Sequence, residues 1–289
     1  MDTSTTFIYS GAQTIHFSYA GEFWIEAVDG ASSVSITVSK TQSVGQVGAT
    51  QTAQTVEPRT IKIRGSYHGD VEANRRKLLD AVAPGVPATF TVTQNGESWY
   101  LDGVPTKTPD CTDGPVVQEF QFSLYCPFPY WRSAAQELTP VSGLISLFKT
   151  PFFTGGTWYI SRIDRNYKNV FNSGNVEMPF QVIFKAITDV TNPEIYLVEQ
   201  RKYIRLGTTA RPYTLAAGET ALVSTASDKS VKLTHADGST ENIFRYLDMG
   251  SDINAVLLPG DNLVRRAAST GEGGLRAYIR RDMGVCSGL

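Results

Sequence analysis

Pro58-Arg59-Thr60-Ile61-Lys62-Ile63-Arg64-Gly65 is the clearest strand in this sequence. Its apolar residues alternate with polar or charged ones, and successive side chains of a β-strand point to opposite faces of the sheet. The alternation therefore predicts a strand with one buried and one solvated face. The same period of two recurs in the first half of the chain at residues 34–38, 89–93, 99–101 and 120–124.

Turn formers and one helix separate these strands. Asn95-Gly96 predicts a hairpin, because both central residues of such a turn must tolerate positive φ. Asp70 is a suitable N-cap for a helix that Pro84-Gly85 ends. The buried face of this helix is expected to comprise Val71, Leu78, Leu79 and Val82, and its solvated face Asn74, Arg75, Arg76 and Lys77.

The second half of the chain returns to short strands without helices. They are predicted at residues 180–184, 194–198, 203–206, 220–223, 231–233, 255–258 and 275–280, with a turn at 259–262. Such spacing is typical of a sandwich or jelly roll. We therefore expect a mainly β protein with two β domains, residues 1–135 and 158–289, joined by a connection at 136–157.

The composition is that of an ordinary globular protein. Of 289 residues, 41% are hydrophobic and 19% are charged, and the net charge is −2. This balance lacks the basic footprint of a nucleic-acid-binding protein. Strand-sized apolar runs predict no membrane insertion. The first nine residues lack the features of a signal peptide, so we expect folding in a cytoplasm.

Patterns that accompany catalysis are missing from the sequence. It contains no Gly-x-Ser-x-Gly, His-x-His, Cys-x-x-Cys or His-Glu-x-x-His motif. Three distant cysteines predict isolated thiols and not a disulfide or zinc framework. Asp110 and Asp113 predict a turn, with a calcium site as the open alternative. We expect no enzyme and no metal or cofactor.

Two ordered sets of motifs carry a resemblance to a known family. Over residues 55–132, the strand quoted above precedes the Arg75-Arg76 helix, the Asn95-Gly96 hairpin and Cys126-Pro127-Phe128-Pro129-Tyr130-Trp131. This order resembles the N-terminal domain of the siphophage distal tail (Dit) family, in which an acidic residue is common at the place of Phe128. Later turns at 172–175, 192–195 and 258–262 resemble the galectin-like or carbohydrate-module-like sandwich that ends many such proteins.

The resemblance implies a structural role in the virion. Its N-terminal domain would form a hexameric ring at the tail tip, and the C-terminal sandwich would project outwards. The implied partners are further copies of the chain, the tail tube protein, the tail tip or tail-associated protein and, in some cases, a receptor-binding protein. The alternative is a carbohydrate-binding module protein of a tail or host-adhesion device, and a tail-associated hydrolase is a third reading without a catalytic signature.

Candidate contact residues follow from a long polar segment and from the resemblance. Residues 39–56 lack clear alternation, which predicts a loop that is either an arm or an ordinary surface loop. Related tail proteins have an arm here that reaches the adjoining subunit. We therefore expect subunit contacts among Lys40, Thr41, Gln42, Gln46, Gln51, Arg59, Arg64, Arg75 and Arg76. Sugar contacts, if the sandwich binds one, are expected at Trp158, Tyr159 and Tyr196, with Tyr167 and Tyr203 in the same half.

The domain division generates a prediction about a fragment. Pro127 and Pro129 cannot continue a central strand, and Trp131 is large enough to anchor the exit of the chain. Residues 1–135 should therefore fold without the rest and keep the ring-forming surface. Amide spectra and solution masses of both pieces test this, and an N-terminal piece that aggregates unless the C-terminal half is present would contradict it.

Overall fold

A computed structural model of the protein describes residues 5–114, 116–141, 143–146 and 162–286. The chain forms two compact units: unit 1 contains residues 1–135 and 284–289, and unit 2 contains residues 136–283. Unit 2 is thus an insertion, and the chain returns to unit 1 at its C-terminal end. The mainly β fold that the alternation predicts is confirmed.

Unit 1 combines strands with one helix. The main sheet has the order β2-β1-β7-β8-β10-β6-β3, while β4 and β5 form a separate two-stranded sheet. The elements before the chain enters unit 2 are β1 (Thr6–Ser10), β2 (Thr14–Phe17), β3 (Phe23–Asp29), β4 (Ile36–Thr41), β5 (Thr50–Val56), β6 (Arg59–His68), α1 (Val71–Ala81), β7 (Ala88–Gln94), β8 (Glu97–Pro105), β9 (Asp110–Cys111), β10 (Val117–Cys126) and β11 (Trp131–Ser133).

Strand β6, between β10 and β3 in the main sheet, contributes buried side chains to the unit 1 core. Ile61 and Ile63 are completely buried, and Phe122 of β10 lies opposite Ile63 in the antiparallel ladder. Gly65 occupies a buried position of the same strand, where a Cβ would clash with the backbone carbonyl oxygen of Trp24 on β3. A residue without a side chain lets the two backbones approach this closely.

Helix α1 begins and ends close to the predicted positions. The Asp70 carboxylate accepts the Ala73 N–H at 3.1 Å, which satisfies one of the free donors at the N-terminus. Leu78 and Val82 are buried as expected. Asn74 differs from the prediction: it is only 4% exposed, and its side-chain amide donates to the His68 carbonyl oxygen at 2.9 Å.

Unit 2 is a β-sandwich. Its larger sheet has the order β12-β25-β16-β21-β22-β23 and the smaller one β15-β24-β18-β19, with the pairs β13-β14 and β17-β20 outside them. The strands are β12 (Glu137–Pro140), β13 (Gly143–Ser146), β14 (Arg162–Arg165), β15 (Tyr167–Asn172), β16 (Phe180–Ala186), β17 (Val190–Thr191), β18 (Glu194–Leu197), β19 (Lys202–Arg205), β20 (Thr214–Leu215), β21 (Thr220–Ser224), β22 (Val231–Thr234), β23 (Thr240–Asn242), β24 (Gly260–Ala267) and β25 (Leu275–Arg281). Short 3₁₀ turns lie at Phe244–Tyr246 and Glu272–Gly274.

The two sheets of unit 2 share one hydrophobic core. Val182 and Ile279 of the larger sheet belong to the same buried cluster as Ile195 and Val264 of the smaller one. Side chains from two inner faces that meet in this way define sandwich packing.

Two strand and turn expectations for the second half are wrong, and part of the expected connection is a strand. Residues 255–258 form no strand, and only Leu257 makes an isolated bridge, to Met178. Gly260–Ala267, expected to begin with a turn, is a strand of the smaller sheet. The expected connection at 136–157 includes β12, which pairs with β25.

A buried arginine ties the ends of unit 1 together. The last strand, β26 (Gly284–Val285), pairs with β11, so that Val285 lies opposite Trp131. The Arg59 guanidinium donates to the Ala31 carbonyl oxygen at 2.5 Å and to the Cys286 carbonyl oxygen at 2.6 Å. The indole N–H of Trp131 donates to the same Ala31 oxygen at 2.9 Å. Burial lowers the pKa of Arg59.

These contacts refine the fragment expected to fold alone. Residues 1–135 by themselves lack β26 and the Cys286 carbonyl that Arg59 binds. Because Arg132 and Gly284 are antiparallel partners, the two chain segments lie side by side and a short linker can replace unit 2. We expect the fragment that includes residues 284–286 to be the more stable one.

Replacing Arg59 should destabilise unit 1 strongly. Arg59→Ala removes the charged donor from the buried Ala31 carbonyl oxygen and the half-buried Cys286 carbonyl oxygen, which should cost about 3 kcal/mol. The matched control is Arg64→Ala on the same strand, because the exposed Arg64–Asp29 ion pair at 2.9 Å should contribute less than about 1 kcal/mol. Denaturant unfolding followed by tryptophan fluorescence measures both, and equal losses would contradict the bracing role of Arg59.

Candidate subunit interface

Strands β4 and β5 form a hairpin, residues 36–56, that we call the arm. Its strands pair from Ile36 opposite Val56 to Thr41 opposite Thr50. At its tip, the Gln46 side-chain oxygen accepts the Ser43 N–H at 3.1 Å. The irregular loop expected over 39–56 is therefore wrong: the segment is an ordered hairpin, and it lacks alternation because polar residues occupy both faces.

The arm contributes nothing to the core of unit 1. Every residue of its two strands is exposed. Its apolar side chains are at least one-third exposed: Ile36 54%, Val38 50%, Val44 108%, Val47 101% and Val56 37%. The alternation at residues 34–38 predicts a half-buried strand, yet no face of it is covered. An isolated two-stranded hairpin is marginal in water, so this arm would be stabilised by packing against another surface.

The predicted contact residues divide into three groups. Lys40, Thr41, Gln42, Gln46 and Gln51 all belong to the arm, where only Gln46 is partly buried because its side chain holds the tip. Lys40 is the single charged residue of the arm and forms no ion pair with the described residues.

Three predicted arginines lie on the surface of unit 1 with partners in their own chain. Arg64 pairs with Asp29 at 2.9 Å, Arg75 with Asp113 at 3.1 Å, and Arg76 with Glu72 at 3.6 Å. These exposed pairs are weak and leave the side chains available to a neighbour.

Arg59 is different from the other predicted contacts. It is 4% exposed and both of its hydrogen-bond acceptors lie within unit 1. A guanidinium enclosed in this way cannot face a neighbouring subunit, so we assign Arg59 to the interior. The sequence signal, a charged residue at the start of a strand, does not distinguish these two roles.

A row of tyrosines crosses the smaller sheet of unit 2. Arg265 lies opposite both Tyr167 and Tyr196, and Tyr196 lies opposite Tyr203, so that four side chains follow one another across four strands. Arg265 and Tyr196 lie between buried neighbours, and Tyr203 precedes the buried Ile204. Tyr167 is three residues from the buried Val170 on β15, so all four side chains point away from the sandwich core. We call them the tyrosine row. Trp158 and Tyr159 lie outside the described residues.

A polar network fixes one end of the tyrosine row. The Tyr203 hydroxyl donates to Asp248 at 3.1 Å, and Arg205 pairs with both Asp248 and, at 3.5 Å, Glu194. Burial alone would raise the pKa of Asp248, but hydrogen bonds from Arg205, the Gly250 N–H and Tyr203 lower it. The carboxylate thus stays charged and orients its two partners.

The described residues also bear on two other features, a metal site and a membrane-spanning helix. Within them, no group of three or more His, Cys, Asp or Glu side chains is arranged to hold a metal ion. None of the described helices has the length and apolar character needed to cross a membrane.

Comparison with known proteins shows the fold. No family model matches the chain, and neither does any curated protein sequence. The crystal structure of the phage SPP1 Dit protein, described as a paradigm of the hub adsorption apparatus in phages that infect Gram-positive bacteria, is similar with a TM-score of 0.66 and 15% identity. The match covers 96% of this chain and 98% of that one.

Two structures of the phage P2 baseplate in its activated conformation also match. The one with Ca has a TM-score of 0.55 at 9% identity, and the one with Sr 0.53 at 10% identity. Both matches cover 96% of this chain and 98% of the other. The chain therefore has a Dit-like fold over nearly its whole length, which confirms the resemblance that the motifs indicate.

Proposed function

We propose that this protein is a structural phage tail protein that forms a hexameric ring at the distal end of the tail tube. The observation that carries the proposal is the arm, a hairpin with five exposed apolar side chains and no core of its own. The Dit-like fold supports a place in a tail hub or baseplate. The role is one of assembly and involves no catalysis.

A ring requires each subunit to present two different contact surfaces. Closed rotational assembly beyond a dimer uses heterologous contacts, in which two different patches of the same chain meet on neighbouring copies. An arm that protrudes can supply one of these patches. Burying each of its branched side chains would contribute roughly 1–2 kcal/mol, and the contact repeats around the ring.

The ring would connect several tail components. In this proposal unit 1 forms the ring, the tail tube protein binds one side, and the tail tip or tail-associated protein binds the other. Unit 2 would engage outer partners such as a receptor-binding protein. The site of action is then the tail tip of the virion, after assembly in the host cytoplasm.

Removing the end of the arm tests the proposal. Deleting Thr41–Gln51 should abolish six-fold rings in native mass spectra and negative-stain images, because the chain loses one of its two contact patches. The melting temperature should stay unchanged, since the deleted residues bury no core surface. Met249→Ser, a fully exposed apolar residue of unit 2, is the control and should assemble normally. A wild-type chain without rings, or a deletion variant with them, would refute the arm's role.

The tyrosine row favours a second function, saccharide binding by unit 2. It extends over roughly 14 Å, because neighbouring strands lie about 4.8 Å apart. Tyrosine rings can cover the C–H face of a sugar while their hydroxyls hydrogen-bond to it. The Arg265 side chain makes no ion pair or hydrogen bond with the described residues, so its guanidinium is available to an acidic or hydroxyl group of a ligand. This function is compatible with the ring.

Saccharide binding can be tested on the row itself. If the wild-type chain retains glycans on an array, Tyr196→Ala should weaken the affinity about tenfold through loss of a stacking ring. Phe171→Ala is the matched control, since Phe171 is 56% exposed on the same sheet but lies outside the row. A wild-type chain that binds no glycan, or equal affinities for both variants, would exclude this function.

A further inference from the structure

Unit 1 exposes a second group of large apolar side chains, away from the arm. Tyr19 is 68% exposed and Trp24 43%, and their rings meet edge to face with centroids 5.4 Å apart. Val116 is 69% exposed and Val117 53%. We call these four residues the aromatic patch.

Strand register brings the patch together. Trp24 on β3 and Glu119 on β10 are both partners of Ser66 on the intervening β6, and Val117 is the partner of His68 two residues further along. Trp24 and Val117 alternate with buried neighbours on their own strands, so both point outward from the same sheet face. Trp24, its ring partner Tyr19 and Val117 therefore lie at one end of the outer face of β10-β6-β3, and Val116 directly precedes Val117.

The arm and the aromatic patch contain nearly all of the exposed large apolar side chains in the described part of unit 1. In its described residues ten large apolar side chains are exposed: five belong to the arm, four to the patch, and the last is Tyr125. Tyr125 lies at the other end of β10, opposite Thr60. Exposed apolar side chains that cluster in this way mark interaction sites, whereas a single one needs no explanation.

The charges of the two surfaces are complementary. Glu22, Glu26 and Glu119 are exposed around the patch, and none of them forms an ion pair with a described residue. The arm carries only Lys40, which also lacks an ion pair there. Opposite charges that meet across an interface favour the correct register and suppress wrong partners.

We propose that the arm of one copy docks on the aromatic patch of the next copy. Val44 and Val47 at the tip pack against Tyr19 and Trp24, while Lys40 faces the surrounding carboxylates. A heterologous contact needs two different matching patches on each copy, and unit 1 presents this pair. The inference rests on the proposed ring and names the surface that receives the arm.

Photo-crosslinking of the full chain tests the contact directly. Benzoylphenylalanine at position 44 should, on illumination, join the arm to a peptide that contains Tyr19 and Trp24, or Val116 and Val117. Mixing isotopically light and heavy chains shows whether the joined peptides come from different copies. Benzoylphenylalanine at position 125 is the control and should not label the patch.

The outcomes separate this inference from the proposed function. Inter-chain crosslinks between arm and patch support docking. Rings in which the arm crosslinks to another surface overturn the docking but leave the ring intact. A wild-type chain that never forms rings overturns the proposed function itself.

Substitutions in the patch provide an independent measure. Tyr19→Ser with Trp24→Ser should raise the protein concentration needed for ring formation at least tenfold, and Tyr125→Ser should leave it unchanged. The melting temperature serves as a folding check. Lys40→Glu should weaken assembly more than Lys40→Arg, because it places a like charge before three carboxylates. Normal rings in the double variant would overturn the proposal.

Discussion

The carbonyl oxygen of Ala31 accepts hydrogen bonds from both Arg59 and Trp131, and the architecture of unit 1 depends on this junction. A buried guanidinium is tolerated only where acceptors surround it, so Arg59 constrains every segment that supplies one. Those segments are the link after β3, which contains Ala31, and the C-terminal residues around Cys286, and Arg59 joins both to the start of β6. The junction also braces the arm, because Ala31 lies just before its first strand and Arg59 just after its last. The Glu57 N–H bond to the Ser35 carbonyl oxygen, at 2.9 Å, closes the base of the hairpin.

Because the arm is held only at its base, the stability of unit 1 does not depend on contacts that the rest of the arm makes. The core of unit 1 is complete without the arm, so the arm can leave its apolar side chains in solvent without weakening the fold that carries it. Such exposure favours aggregation unless a partner covers it. In the proposed ring, a neighbouring copy would cover the arm, and the firm base would hold the hairpin in position for that contact. Unit 2 is inserted between β11 and β26 and has a separate core, so its residues do not contribute to the junction at Ala31.

Two sequence errors in unit 2 arise because an apolar pattern does not by itself distinguish a buried loop from a paired strand. Residues 255–258 look like a strand because they are apolar, and Ala255 and Leu257 are indeed fully buried. They are buried by the sandwich core, not by pairing with a neighbouring strand. Conversely, β24 escaped detection because Arg265-Arg266 interrupts the apolar pattern. Arg266 is nevertheless completely buried, and its guanidinium donates to the carbonyl oxygens of Glu272, at 3.3 Å, and of Leu275.

The sequence alone determined the β class, the Asp70 cap, the Asn95-Gly96 turn and several strands of each unit, since these depend on side-chain period and turn chemistry within a few neighbouring residues. It also carried the ordered motifs of a Dit-like fold. Only the tertiary structure decided that Arg59 is an interior brace, that the arm has no covered face and that the tyrosines stand in one row. Each of these depends on which strands pair and in what register, and those partners lie tens to hundreds of residues apart in the chain, beyond the reach of any local pattern.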